Sequence, residues 1–171
     1  MPLAHLSIAS STLKSCRNEL RNCLWDLRSQ ALEETDLNEA IRRTLEPYVG
    51  DTELTVRFNV PRERLTDETA HALMRIVREL VLNAIRHGRA SHVWIAGATE
   101  GDLILLSVRD NGCGFVPERA PGLAQGHFGL QGIRERIKRY GGTVEIESSP
   151  NAGTKVSIRF ALPMDNTELT P

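Results

Sequence analysis

Cysteine is scarce in this chain, three in 171 residues. Cys16, Cys23 and Cys113 form neither an even set nor a paired ligand spacing, which argues against a disulfide framework and a zinc site. A reducing cytoplasm is the compartment this implies. Long apolar runs are also missing: none approaches the ~20 residues that span a bilayer, and the start lacks the basic and apolar regions of a signal peptide. Charge of one sign is not in excess, since the net charge of -1 gives no electrostatic case for nucleic acid or an anionic membrane as partner. Internal repeats and low-complexity segments are absent. So is the Gly-x-x-x-x-Gly-Lys-Ser/Thr phosphate loop, and Gly112-x-Gly114 has no third glycine at the offset of a dinucleotide fingerprint.

What is present reads as one well-buried domain plus an appendage, for a chain that is 40% hydrophobic and 25% charged. Leu13, Cys16, Leu20, Cys23 and Leu27 recur at spacings of three and four, the seam of a helix packed along a partner helix. Thr35-Asp36-Leu-Asn-Glu39 resembles a capping box and predicts a second helix to about Glu46. Pro47 and Gly50 punctuate, and Leu54, Val56, Phe58 and Val60 alternate as a half-buried strand. Thr66-Asp67 then caps a long helix with Leu73, Ile76, Val77, Leu80 and Ala84 on one face. Strands near Val93 to Ala98 and Leu103 to Arg109 flank the turn Glu100-Gly101-Asp102. A helix from about Gly129 to Tyr140 stops at Gly141-Gly142, and two last strands surround Pro150-Asn-Ala-Gly153. The order strand, helix, two strands, helix, two strands predicts a mixed sheet with helices on one face, a two-layer α/β sandwich. Residues 1–47 are expected to be a helical segment, 48–163 a domain and 164–171 a frayed tail.

Three clusters carry chemistry. Glu79, Asn83 and either Arg86 or His87 project from one stripe of the long helix. An Asn carbonyl can supply an oxygen to a hard cation, and the Glu can orient or accept a proton from what approaches the metal; alone, the stripe could equally be a solvated helix face. Asp110 ends an apolar strand before Asn-Gly112-Cys-Gly114-Phe115. A carboxylate there can accept from an exocyclic amine such as that of adenine while the glycines admit a flat base, although Asp-Asn-Gly is also an ordinary turn. Gly126-His127-Phe-Gly129 runs straight into a helix, so free backbone N–H groups and the positive end of the dipole suit a polyphosphate. A glycine-rich surface loop is the plainer alternative. Cys113 has no base beside it in sequence and is expected to be a small filler between two glycines.

In order along the chain, Glu-x-x-x-Asn with Arg-His, Asp-x-Gly-x-Gly-Phe, Gly-His-x-Gly-Leu-x-Gly-Ile-x-Glu-Arg and Gly153-Thr154-x-Val-x-Ile resemble the catalytic ATP-binding domain of bacterial sensor histidine kinases. These belong to the GHKL ATPase superfamily. The nearest likeness is to the branch with a short nucleotide lid that works with helix-turn-helix response regulators, and it covers about Leu54 to Pro163. The resemblance implies a Bergerat-type fold, with ATP and Mg²⁺ as cofactors. It implies that Asn83 coordinates Mg²⁺, that Glu79 acts nearby in phosphoryl transfer, and that Asp110 binds the adenine amine. Gly112, Gly114 and Phe115 would shape the base pocket, with Thr154 supporting Asp110; Arg86 and His87 would join the ATP site, and Gly126, His127, Gly129 and Leu130 would form the lid edge and phosphate cradle.

One departure matters. In the family a histidine followed by an acidic residue, on a two-helix dimerisation hairpin, accepts the phosphate. Here His5 precedes Leu6, and the stretch from Glu19 to Arg28 looks like the second helix of that hairpin. The expectation is therefore a C-terminal piece of a longer kinase that binds ATP without phosphorylating itself. Its partners would be a phosphoacceptor histidine domain, either its own missing segment or one in trans, a response regulator and, in the full-length protein, a second copy of itself. The place is the cytoplasm, with attachment of the full-length protein to the inner membrane left open. A serine kinase and binding switch like the anti-sigma factors is the alternative, and a non-enzymatic module with a decayed pocket a third.

Overall fold

A computed structural model of the chain describes residues 36–117 and 128–162. Asp36 begins it as an N-cap, its carboxylate accepting from the Asn38 N–H at 2.8 Å and so satisfying one of the free donors of the first turn. The helix it caps, α1, runs Leu37–Val49. Glu39 does not close a capping box; its carboxylate pairs with Arg43 one turn on at 3.2 Å. Strand β1 (Glu53–Asn59) leads through a short 3₁₀ turn to α2 (Asp67–Arg86), where the Thr66 hydroxyl accepts from the Thr69 N–H. Strands β2 (His92–Glu100) and β3 (Leu103–Asp110) form a hairpin whose two-residue loop holds Gly101 at φ 57°, as such tight turns require. Helix α3 (Phe128–Arg139) precedes β4 (Thr143–Ser148) and β5 (Thr154–Ala161).

The sheet order is β1-β2-β3-β5-β4, with β1 parallel to β2 and the other neighbours antiparallel. This is the expected mixed sheet. One face of its strands, including Val56, Phe58, Val93, Ile95, Ile104, Leu106, Val108, Val156, Ile158 and Phe160, is buried against the helices. Alternation with period two puts Arg57, Ser107, Arg109, Lys155 and Arg159 on the other face, together with Trp94, Ala96 and Leu105. From α2 come Leu73, Ile76, Val77, Leu80, Val81 and Ala84, and from α3 Ile133 and Ile137. Leu37, Ala40, Ile41 and Leu45 of α1 sit in that same core. The expected division after residue 47 thus falls inside a helix, α1, whose apolar face shares the core of the sheet. The seam from Leu13 to Leu27 and the tail 164–171 lie outside the described residues.

Strand register decides where the ends meet. Val93 faces Asp110 and Arg109 faces Lys155, so the start of β2, the end of β3 and the start of β5 share one end of the sheet. Ser148 pairs with Thr154 and brings the end of β4 there too. Helix α2 feeds β2 at this end, while α3 must begin here because it feeds β4, whose first residue Thr143 pairs with Arg159 at the far end.

Candidate functional site

Asp110 stands at that common end with 7% of its surface exposed. Its Oδ1 accepts from the Gly112 N–H at 2.7 Å, and the Thr154 backbone N–H is a second donor. Burial raises the pKa of this carboxyl, because a charge in a low-dielectric site is disfavoured, while the two backbone donors pull it partly back. The carboxylate is held by backbone groups alone among its named donors, which leaves acceptor capacity for an outside N–H.

The glycines around it are packing requirements. At Gly114, with φ 58°, an added Cβ would lie 2.1 Å from the Ser149 carbonyl oxygen; at Gly153, with φ 72°, one would lie 2.0 Å from the carbonyl oxygen of Asp110. Both combine left-handed backbone with close approach, which only glycine meets without strain. Gly112 is similarly crowded by the Gly88 carbonyl oxygen, 2.4 Å from where its Cβ would be.

That last contact shows how the two motifs meet. The Cys113 N–H donates to the Gly88 carbonyl at 2.7 Å, just past the end of α2. Asn111 reaches the same connection: its Oδ1 accepts from the N–H groups of Ser91 and His92 at 3.1 and 3.0 Å, and its Nδ2 donates to Ser91 Oγ at 2.9 Å. The loop after β3 is thereby fastened to the C-terminal end of α2. Glu79 and Asn83 stand half-buried on that helix, one turn apart, and Arg86 and His87 are exposed at its end. Cys113 is not an interior filler; it is exposed, with Sγ 3.4 Å from the His87 carbonyl oxygen.

A second fastening lies on the other side of the loop. Ser148 Oγ accepts from the Phe115 N–H at 2.9 Å, donates to the Gly153 carbonyl at 2.9 Å and lies 3.0 Å from Thr154 Oγ1. Ser148, Asn111 and Gly88 are site-building residues that sequence reasoning missed. Asn111 alone left a signal, inside the Asp-Asn-Gly turn. Of the remaining expected residues, Leu130 packs its side chain against the core and Gly129 is the second residue of α3. Gly126 and His127 lie outside the described residues.

Among the described residues no three His, Cys, Asp or Glu side chains converge as metal ligands. The oxygen donors at hand are the Asn83 amide and the Glu79 carboxylate. This small set fits Mg²⁺, which takes one or two protein oxygens when phosphates and water complete its octahedron.

The model of the histidine kinase-, DNA gyrase B-, and HSP90-like ATPase family matches residues 68–165. The chain belongs to this family. It carries an ATP-binding domain of the sensor histidine kinase kind. It is 33% identical to an uncharacterized sensor-like histidine kinase of Chloroflexus aurantiacus over 91% of its length, covering 27% of that protein. It is 34% identical to the nitrate/nitrite sensor protein NarQ of Escherichia coli over 88% of its length, covering 26% of that one. The chain thus spans about a quarter of the length of these relatives. In fold it resembles the ATP-binding domain of PrrB from Mycobacterium tuberculosis, with a TM-score of 0.55 at 21% identity over 75% of this chain and 95% of that one. The Chloroflexus relative is named as a sensor-like histidine kinase, which sets aside the serine-kinase alternative. Among the described residues no helix is long and apolar enough to cross a membrane.

Proposed function

We propose that this chain binds Mg²⁺-ATP at the common end of the sheet and donates the γ-phosphate to a histidine on a dimerisation domain, as one arm of a two-component signalling protein. The observation that carries the reading is the buried Asp110 carboxylate, fastened through Cys113 and Asn111 to the helix end that bears Asn83. The carboxylate would accept the adenine amine, with Gly112, Gly114, Phe115 and Thr154 forming the walls and floor of the base pocket. The Asn83 amide oxygen would hold the metal, and when bound that ion would neutralise phosphate charge. Glu79, one turn earlier, would orient the acceptor or take its proton. Gly126, His127, Gly129 and the backbone at Leu130 would border the phosphates at the start of α3, where N–H groups and the helix dipole favour anions. Arg86 and His87 would line the mouth. Positioning and electrostatics carry most of the barrier to phosphoryl transfer, and these are what such a site can provide.

The stretch before α1 would contribute the second helix of the dimerisation hairpin and its linker, leaving the acceptor histidine to another segment or another chain. A response regulator would be the onward recipient, a second copy the partner in the full-length protein, and the cytoplasm the place of action.

Titration with a fluorescent ATP analogue and Mg²⁺ should show saturable binding that Asp110→Asn weakens. Incubation with ATP and a dimerisation domain bearing an acceptor histidine should put acid-labile phosphate on that partner and none on the chain itself. Binding indifferent to Asp110→Asn, or acid-stable phosphate on the partner, would overturn the reading.

A further inference from the structure

The described helices all pack on one face of the sheet, and among the described residues nothing covers the other. Strand register orders the side chains of this open face into rows. The middle row runs Arg57, Ala96, Ser107, Ser157, Glu145, from the edge strand β1 to the edge strand β4. Its two ends carry opposite charges on exposed side chains, and its centre is small and flat. Neither Arg57 nor Glu145 has an ion-pair or hydrogen-bond partner among the described residues. The next row toward the nucleotide end holds Trp94, the one exposed large apolar side chain among the described residues, at 37%. His92 stacks on its ring at 4.0 Å, and the Arg109 guanidinium lies 5.6 Å over it. On the far side of the middle row, Ala98 and Leu105 add apolar surface.

We propose that this open face pairs with the same face of a second copy of the chain, about a two-fold axis running along β3. Such an axis reverses the order of the strands and keeps their direction, so β1 of one copy lies over β4 of the other and β2 over β5. Arg57 then meets Glu145 of the second copy, and Glu145 meets its Arg57. Two ion pairs form where each copy alone leaves two unpaired charges. Ala96 meets Ser157 of the second copy and Ser107 meets its own equivalent, and these short side chains let the sheets approach to the roughly 10 Å of a sandwich. Leu105 also meets its equivalent. Trp94 meets the aliphatic stem of Lys155, whose ammonium stays on its own Glu147 at 2.6 Å. Arg109 is a cation that would meet its equivalent, and its seat over Trp94 draws it off the axis toward β2. A two-fold perpendicular to the strands would instead set Arg57 on Arg57 and Glu145 on Glu145, so charge selects the axis along β3. Because that axis keeps strand direction, the two proposed nucleotide sites lie at the same end of the pair, clear of the shared face. The pairing does not depend on the kinase reading.

The test uses the full 171-residue chain with Cys16, Cys23 and Cys113 changed to Ser and Ser107→Cys introduced. A short bismaleimide should join two chains through that position. It should not join them through Glu63→Cys, which lies off the face on the turn after β1. Association through any other part of the chain does not satisfy this readout. Arg57→Glu or Glu145→Arg should each lower the cross-linked yield by about tenfold, because both contacts of the pair become like-charged. Mixing the two variants should restore the yield, since each supplies the charge the other needs, and the recovery shows that both are folded. Cross-linking at Ser107→Cys no faster than at Glu63→Cys, a yield that the charge changes leave alone, or one that mixing fails to restore overturns the proposal. Where a charge variant does not fold, Ala96→Arg with an unchanged circular dichroism melt decides: loss of cross-linking supports the pairing and a full yield overturns it.

Discussion

At the scale of single residues the site depends on a carboxylate that burial disfavours. Asp110 has a folded-state pKa above its ordinary 3.8, so its contribution to stability is full below that value and is lost as pH rises through the raised one. In the proposed site nucleotide binding would run the other way, because the adenine amine would need the ionised form. The stability of the wild-type chain minus that of Asp110→Asn should therefore decline from about pH 4 upward and then level off. Affinity for a fluorescent ATP analogue should fall in the same window as pH is lowered. At neutral pH Asp110→Asn should weaken binding by roughly tenfold to a hundredfold, the loss of one hydrogen bond to a charged group. Glycines give a second contrast. Gly153→Ala places a Cβ 2.0 Å from the Asp110 carbonyl oxygen at φ 72°, whereas Gly141→Ala meets nothing within 4 Å at φ 63°. Left-handed backbone alone costs about 1–2 kcal/mol, so Gly141→Ala should lose that much in urea unfolding. Gly153→Ala should lose more, and nucleotide binding with it.

At the scale of elements, α1 is the informative case. Ile41 and Leu45 are buried at 1% and 0% exposure beneath the sheet, so Ile41→Ala should destabilise the domain by about 2–5 kcal/mol. A chain trimmed to begin at residue 48 loses Leu37, Ala40, Ile41 and Leu45 from the core together. That loss is comparable to the whole stability of a typical domain, about 5–15 kcal/mol. Circular dichroism should show cooperative unfolding for a chain beginning at residue 36 and none for one beginning at 48. The capping signals of Asp36 and Thr66, the two-residue hairpin and the period-two strands are all legible in the amino-acid sequence, because each is a relation among residues a few positions apart. Glu39 departs from its expected role for a related reason: its choice between its own cap and Arg43 is a competition between two short-range contacts that spacing alone does not rank.

At the scale of the whole molecule, the proposed site lies at one end of a five-stranded sheet because register and helix direction bring four separated stretches of chain together. Binding there should stabilise the fold by mass action. At one hundred times the dissociation constant, Mg²⁺-ATP should add about 2.7 kcal/mol, seen as a rise in Tm that Asp110→Asn reduces. An unchanged Tm under saturating nucleotide would contradict a site formed by the folded domain alone.

The sequence by itself determined the element types, the motif order and the chemical kinds of the groups at Glu79, Asn83 and Asp110. Periodicity, capping and residue chemistry are properties of near neighbours, and the four ordered motifs together pointed to the family. Only the tertiary structure decided that α1 shares the core, that Leu130 turns inward, and that Ser148, Asn111 and Gly88 fasten the loop after β3. Those juxtapositions follow from long-range packing and strand register, where a contact is fixed by what the rest of the chain leaves room for and not by spacing along it.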